Sequence, residues 1–184
     1  MPYPVAPDVP ANSAAPIDGQ KASYRVAALK LAVATGANVI FTLTGSATKT
    51  VRVTRIELSG TCATTAKAVN FFIAKYSTAA SGGTTGTAPA IVPHDSTNAA
   101  ATATVAVYTA DPTAGTAVGN IATGNLFMAV TGSTVAPGLY AASFGDRPSQ
   151  DIVLRGTSQQ LGISLNGENT ATSVVDVVVE FTEE

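Results

Sequence analysis

Ser173–Glu184 reads SVVDVVVEFTEE, and its two-residue period decides the fold class. Val175, Val177, Val179 and Phe181 share one side of an extended chain, whereas Asp176 and Glu180 share the other with Val174 and Val178. Successive side chains of a strand point to opposite faces, so the pattern describes a β-strand with one buried face and an outer face that is itself partly apolar.

Working outward, the rest of the chain repeats this theme in short runs of Val, Ala, Thr and Ile punctuated by Gly, Pro, Asn and Asp. Tyr24, Val26 and Ala28 alternate with Arg25, Ala27 and Leu29; Val39, Phe41 and Leu43 alternate with Ile40, Thr42 and Thr44. In Thr50–Leu58 the inward set is Val51 and Val53, then Ile56 and Leu58; this one-residue slip predicts a β-bulge near Thr54 and Arg55. Lys67–Tyr76 sets Val69, Phe71 and Ile73 against Asn70, Phe72 and Ala74, with bulk on both faces, as in a central strand. Further runs at Thr102–Tyr108, Ala117–Ile121, Asn125–Val130, Asp151–Arg155 and Gln160–Leu165 bring the expected total to eight or nine strands, with no helix. The expectation is an all-β fold, a jelly-roll-like antiparallel β sandwich over residues 21–184, and a chain of 184 residues is enough for one such domain. No repeat of solenoid or propeller length and no heptad pattern competes with it.

Residues 1–20 differ. Pro2, Pro4, Pro7, Pro10 and Pro16 break any strand alternation and favour an extended polyproline II arm with no core-forming face. Such an arm is expected to be held by a neighbouring subunit, with Tyr3, Val5 and Val9 as its apolar contacts.

The chain offers little for catalysis. Charged residues make up 12%, and there is one His, one Cys and no Trp. His94 lies in PHDS next to Asp95 and Ser96, the residue types of a hydrolase triad, but neighbours in an extended chain point apart, and no GxSxG elbow occurs; a turn capped by Asp95 or Ser96 is expected instead. The acidic residues Asp111, Asp146, Asp151, Glu168, Asp176 and Glu180 are scattered, and no metal or cofactor is expected. Arg147 is expected to pair locally with Asp146 or Asp151. SGGTTGT (residues 81–87) lacks the Lys-Ser/Thr ending and following helix of a phosphate loop and reads as a long flexible loop. Cys62 has no disulfide partner and reads as a small core or turn residue. A formal net charge of −2 without a basic patch disfavours nucleic acid, and no run approaches the about 18 to 20 apolar residues of a membrane span. The opening MPYPVAPDVP lacks a basic and apolar leader, which points to synthesis in the cytoplasm.

Four stretches, VRVTRIELSGTCATTA (residues 51–66), PHDSTNAAATATVAVYTADPTAGTAVG (93–119), FGDRPSQDIVLRGTSQQLGISLNGE (144–168) and VVEFTEE (178–184), resemble virion structural proteins encoded by tailed bacteriophages and prophages. The resemblance covers most of the chain after residue 20 and implies a virion component made in the host cytoplasm. The reading it supports is a capsid decoration, or cement, protein on the capsid surface, with the major capsid protein as partner and no enzymatic activity. The alternative is a receptor- or glycan-binding module of a tail, baseplate or head fibre; five Tyr, six Phe and no Trp make aromatic sugar platforms scarce. A glycoside hydrolase would need a carboxylate pair that no motif nominates. Because Phe72 and Tyr76, like Val174 and Val178, fall opposite the inward sets of their strands, a homo-oligomer, dimer or trimer, is expected to bury some of the four.

Overall fold

The computed structural model describes residues 21–32, 39–145, 150–167 and 173–184, and these form only strands, turns and loops. Twelve strands follow one another: Ala22–Ala32 (β1), Val39–Thr44 (β2), Thr50–Cys62 (β3), Lys67–Tyr76 (β4), Thr84–Thr85 (β5), Ile91–Pro93 (β6), Thr104–Ala110 (β7), Ala117–Val130 (β8), Leu139–Ser143 (β9), Ile152–Arg155 (β10), Gln160–Ser164 (β11) and Ser173–Glu183 (β12). Residues 1–20, with the expected contacts Tyr3, Val5 and Val9, lie outside the described residues, as do Asp146, Arg147 and Glu168.

The strands make one curled sheet in the order β5-β7-β2-β11-β4-β8-β3-β12-β1-β6, with β9 and β10 also on β3. Its two halves enclose a single core, as a β sandwich does. Val26, Val53, Ile56, Val177, Val179 and Phe181 from one half join Phe41, Leu43, Phe71, Ile73, Leu126 and Ile163 from the other in the same buried cluster. Phe71 of β4 meets Tyr140 of β9 across this interior, with ring centroids 4.8 Å apart. Tyr24 and Phe181 stack at 5.5 Å within one half.

β3 organises the first half. One edge pairs with β12 along its length; the other is shared by β10 at residues 50–53, β9 at 55–59 and the end of β8 at 61–62. The bulge expected near Thr54 is present. Glu180 pairs with Arg55 but Phe181 pairs with Val53, leaving Thr54 as the extra residue. Its carbonyl accepts the Phe144 N–H at 2.7 Å, just where β9 gives way to β10. The bulge is what lets Val53 and Ile56, three apart, both face the core.

Four details depart from expectation. The β3–β8 contact, Thr61 and Cys62 with Ala129 and Val130, is parallel, so the sheet is mixed. A second bulge lies in β2, where Phe41 pairs with Ile163 and Val39 with Ser164; Ile40 thereby joins Phe41 in the core cluster, while Val39, equally buried, lies outside that cluster. The two runs at 117–121 and 125–130 are one strand, because the glycine between them, Gly124, stays in the ladder opposite Phe71. Finally, the glycine-rich stretch at 81–87 is tied to β7 through Thr84 and Thr85, and Ser81 bridges to Thr113. Cys62 is buried, its Sγ 3.3 Å from Ser173 Oγ.

Candidate binding surfaces

His94 directly follows the edge strand β6. Its backbone N–H donates to the Ser23 carbonyl at 2.9 Å, and its Nδ1 lies 3.1 Å from Ser23 Oγ on the exposed surface. Asp95 caps a local turn, accepting from the Thr97 N–H at 2.9 Å and the Thr97 hydroxyl at 2.7 Å, and these bonds hold its carboxyl below the usual range. The three residues of the apparent triad thus form no relay. Among the described residues no group of three or more His, Cys, Asp or Glu is placed to hold a metal ion.

What remains are the outer faces of the two halves. On the β3–β12–β1 face, Arg25 bridges Glu180 at 3.1 Å and Glu57 at 3.6 Å, and Arg55 reaches Glu57 as well. Half-buried Val178 sits inside this charged lattice, between Ala27 and Glu57; Val174 lies further along, between Ala32 and Thr61. A bulge in β1 leaves Lys30 at φ 50°, its N–H bound to Asp176 Oδ1 at 2.7 Å, and Leu29 next to it is 77% exposed. Val92 on the edge strand, paired with Arg25, is 56% exposed. The apolar character expected of this face is therefore present, and it extends to Leu29 and Val92.

On the β4–β8 face the four-residue set divides. Tyr76 is only 5% exposed, so it is unavailable to a partner. Gly162 of β11 explains this: a Cβ built there would stand 2.6 Å from Tyr76 Cε2, so the ring occupies the space that a side chain would take. Next to it Gln160 Oε1 accepts the Ala80 N–H at 2.7 Å, fastening the segment after β4 over this region. Tyr76 was expected outside because alternation gives the face but not what covers it. Phe72 stays half-buried on that face, opposite Thr123 on one side and Ser164 on the other. Phe72 and the valine pair thus lie on different outer faces, and no one flat contact can include both.

Around Phe72 is a groove of about 370 Å³ that sequence reasoning missed, lined by Asn70, Asn120, Thr123, Asn125 and Asn166. Asn70 and Asn125 face each other across β4 and β8, whereas Asn166 comes from the turn after β11. The strand phase of Asn70 was legible, but its partners lie about 50 to 100 positions away and only strand pairing brings them together.

Comparison with protein-family models, with curated proteins and with solved structures finds no match to this chain. The functional reading rests on the residues themselves.

Proposed function

We propose that this protein is a structural component of a bacteriophage virion, a capsid decoration protein that binds the major capsid protein on the outer surface of the shell after synthesis in the host cytoplasm. The observation that carries the reading is where the phage-like stretches fall. They supply β3, β7, β10, β11 and the second half of β12, of which β10, β3 and β12 lie side by side, so what resembles virion proteins is largely scaffold, and its functional output is shape and adhesion. The strand order is compatible with a jelly roll within the sandwich: β1-β12-β3 with β9 and β10 faces β2-β11-β4-β8, the chain crosses between halves from β1 through β4 and from β10 through β12 but not from β4 to β8 or from β9 to β10, and β5, β6 and β7 are additions at the edges. Short Ala, Thr and Val side chains lose little rotamer entropy when a surface is covered, which suits a protein laid in many copies on a shell.

Binding to shells tests this directly. The full chain should co-sediment with capsids that lack it, and deletion of residues 1–16 should leave the circular dichroism spectrum of a β protein while weakening that attachment, since the arm carries no alternating face for the core. A truncated chain that unfolds, or one that binds as well as the parent, contradicts this role of the arm.

Self-association is part of the same proposal. A dimer or trimer would use Phe72 on one outer face or Val174 and Val178 on the other. Sedimentation equilibrium should give a mass that is a multiple of 18.4 kDa; a fully soluble species at 18.4 kDa at micromolar concentration would remove the oligomer.

A further inference from the structure

We propose that the groove over β4 and β8 binds a neutral carbohydrate. Its lining is the first argument. Asn70, Asn120, Asn125 and Asn166 are exposed; Asn70 also interacts within the chain, and the side-chain amides of Asn120, Asn125 and Asn166 each bring two donors and a carbonyl acceptor. Adjacent sugar hydroxyls, each both donor and acceptor, match such amides from either direction, and Thr123 adds a hydroxyl of its own. Among the described residues no charged side chain lines the groove, so none of them offsets the desolvation of a phosphate or carboxylate ligand.

The aromatic floor is the second argument. Phe72 presents a half-buried ring between Ser164 and Thr123, an apolar platform for the C–H face of a pyranose. Phe127, 40% exposed and two residues beyond Asn125 in the same strand, lies outside the groove's lining, so Phe72 is its exposed aromatic surface. Gly124 pairs with Phe71 in the ladder, and a Cβ there would lie 3.0 Å from Phe71 Cε1; the Phe71 ring, packed on Tyr140, takes that space on the core side and backs the strand pair beneath the groove. A lining carried on paired strands is already ordered before ligand arrives, which lowers the entropic cost of binding. The groove is also of the size of small-ligand clefts. This inference is independent of where on a virion the protein sits.

The test is a titration of the full ¹⁵N-labelled chain with maltose, cellobiose, lactose and chitobiose, each to about 20 mM, a range that detects the millimolar affinity expected of a shallow site. At least one sugar should give saturable shifts of the side-chain NH₂ resonances of Asn70, Asn120 or Asn125. Phe72→Ala and the isosteric Asn125→Asp should each weaken that binding about 10-fold or more. Asn125 is exposed, so Asn125→Asp should keep the parent melting temperature, which separates a lost contact from lost structure. Saturable binding to none of the four sugars, shifts confined to other surfaces, or undiminished binding by Asn125→Asp would each overturn the proposal. So would the same resonances moving on simple dilution of the protein, which would assign the groove to a second copy of the chain.

Discussion

Replacing Phe71 with alanine should destabilise the fold by about 3–5 kcal/mol, the usual cost of removing a buried phenyl ring. Phe71 is 3% exposed, lies over Tyr140 at 4.8 Å, and fills the space that Gly124 leaves free. Three strands, β4, β8 and β9, meet at this ring, so the cavity left behind cannot close by a shift of one of them. At about 2–4 °C per kcal/mol for a chain of this length, the melting temperature should drop by roughly 6–20 °C. A variant that melts with the parent would place Phe71 on the wrong face of β4 and undo the assignment of Phe72 to the outer one.

A comparable loss is expected at a residue that composition would assign to solvent. The Glu183 side chain is fully buried near the end of β12, where its oxygens accept the Thr102 N–H at 2.9 Å, the Ala103 N–H at 2.7 Å, the Thr102 hydroxyl at 3.0 Å and the Lys49 ammonium at 3.3 Å. One carboxylate thereby fastens the entry to β7 and the turn before β3 to the last strand. Glu183→Ala should cost about 2–3 kcal/mol, because backbone donors buried by that arrangement would be left without an acceptor. Burial alone would push this carboxyl up, but the hydrogen bonds from Ala103, Thr102 and Lys49 outweigh it and hold it below the usual carboxylate range. Since the folded state then releases the proton more readily than the unfolded chain, the stabilisation is complete above the unfolded carboxylate pKa of about 4.3 and is lost as pH falls through the lower folded value. Glu184, held down by Lys21 and Arg52, shifts in the same direction. Urea midpoints measured at pH 7 and pH 4 should therefore fall with acidification, and fall less in Glu183→Gln; equal pH slopes in the two proteins would contradict the buried clamp.

How far the chain could be read follows from what alternation encodes. The inward rows of β12 and β4 and the bulge at Thr54 were legible because each is a local property of phase along one strand. The bulge at Ile40 was not, since VIFTLT is apolar at its first three positions and either phase fits. Leu139–Ser143 was not seen as a strand: it is short, follows Pro137 and Gly138, and owes its order to pairing with β3. Covering of Tyr76 by the space over Gly162, the amide groove and the Glu183 clamp all join residues far apart in sequence, and no local pattern announces them. Glu183 is the sharpest case, because a glutamate next to the last residue reads as a solvated terminus until the loop that buries it is in place.

The central claim is that this chain is part of the outer surface of a phage head. Immunogold electron microscopy with antibody against the purified protein, applied to intact virions of a phage whose genome carries the sequence, tests this most directly. The account predicts label distributed over the head; label at the tail tip or baseplate alone, or none on the particle, would contradict it.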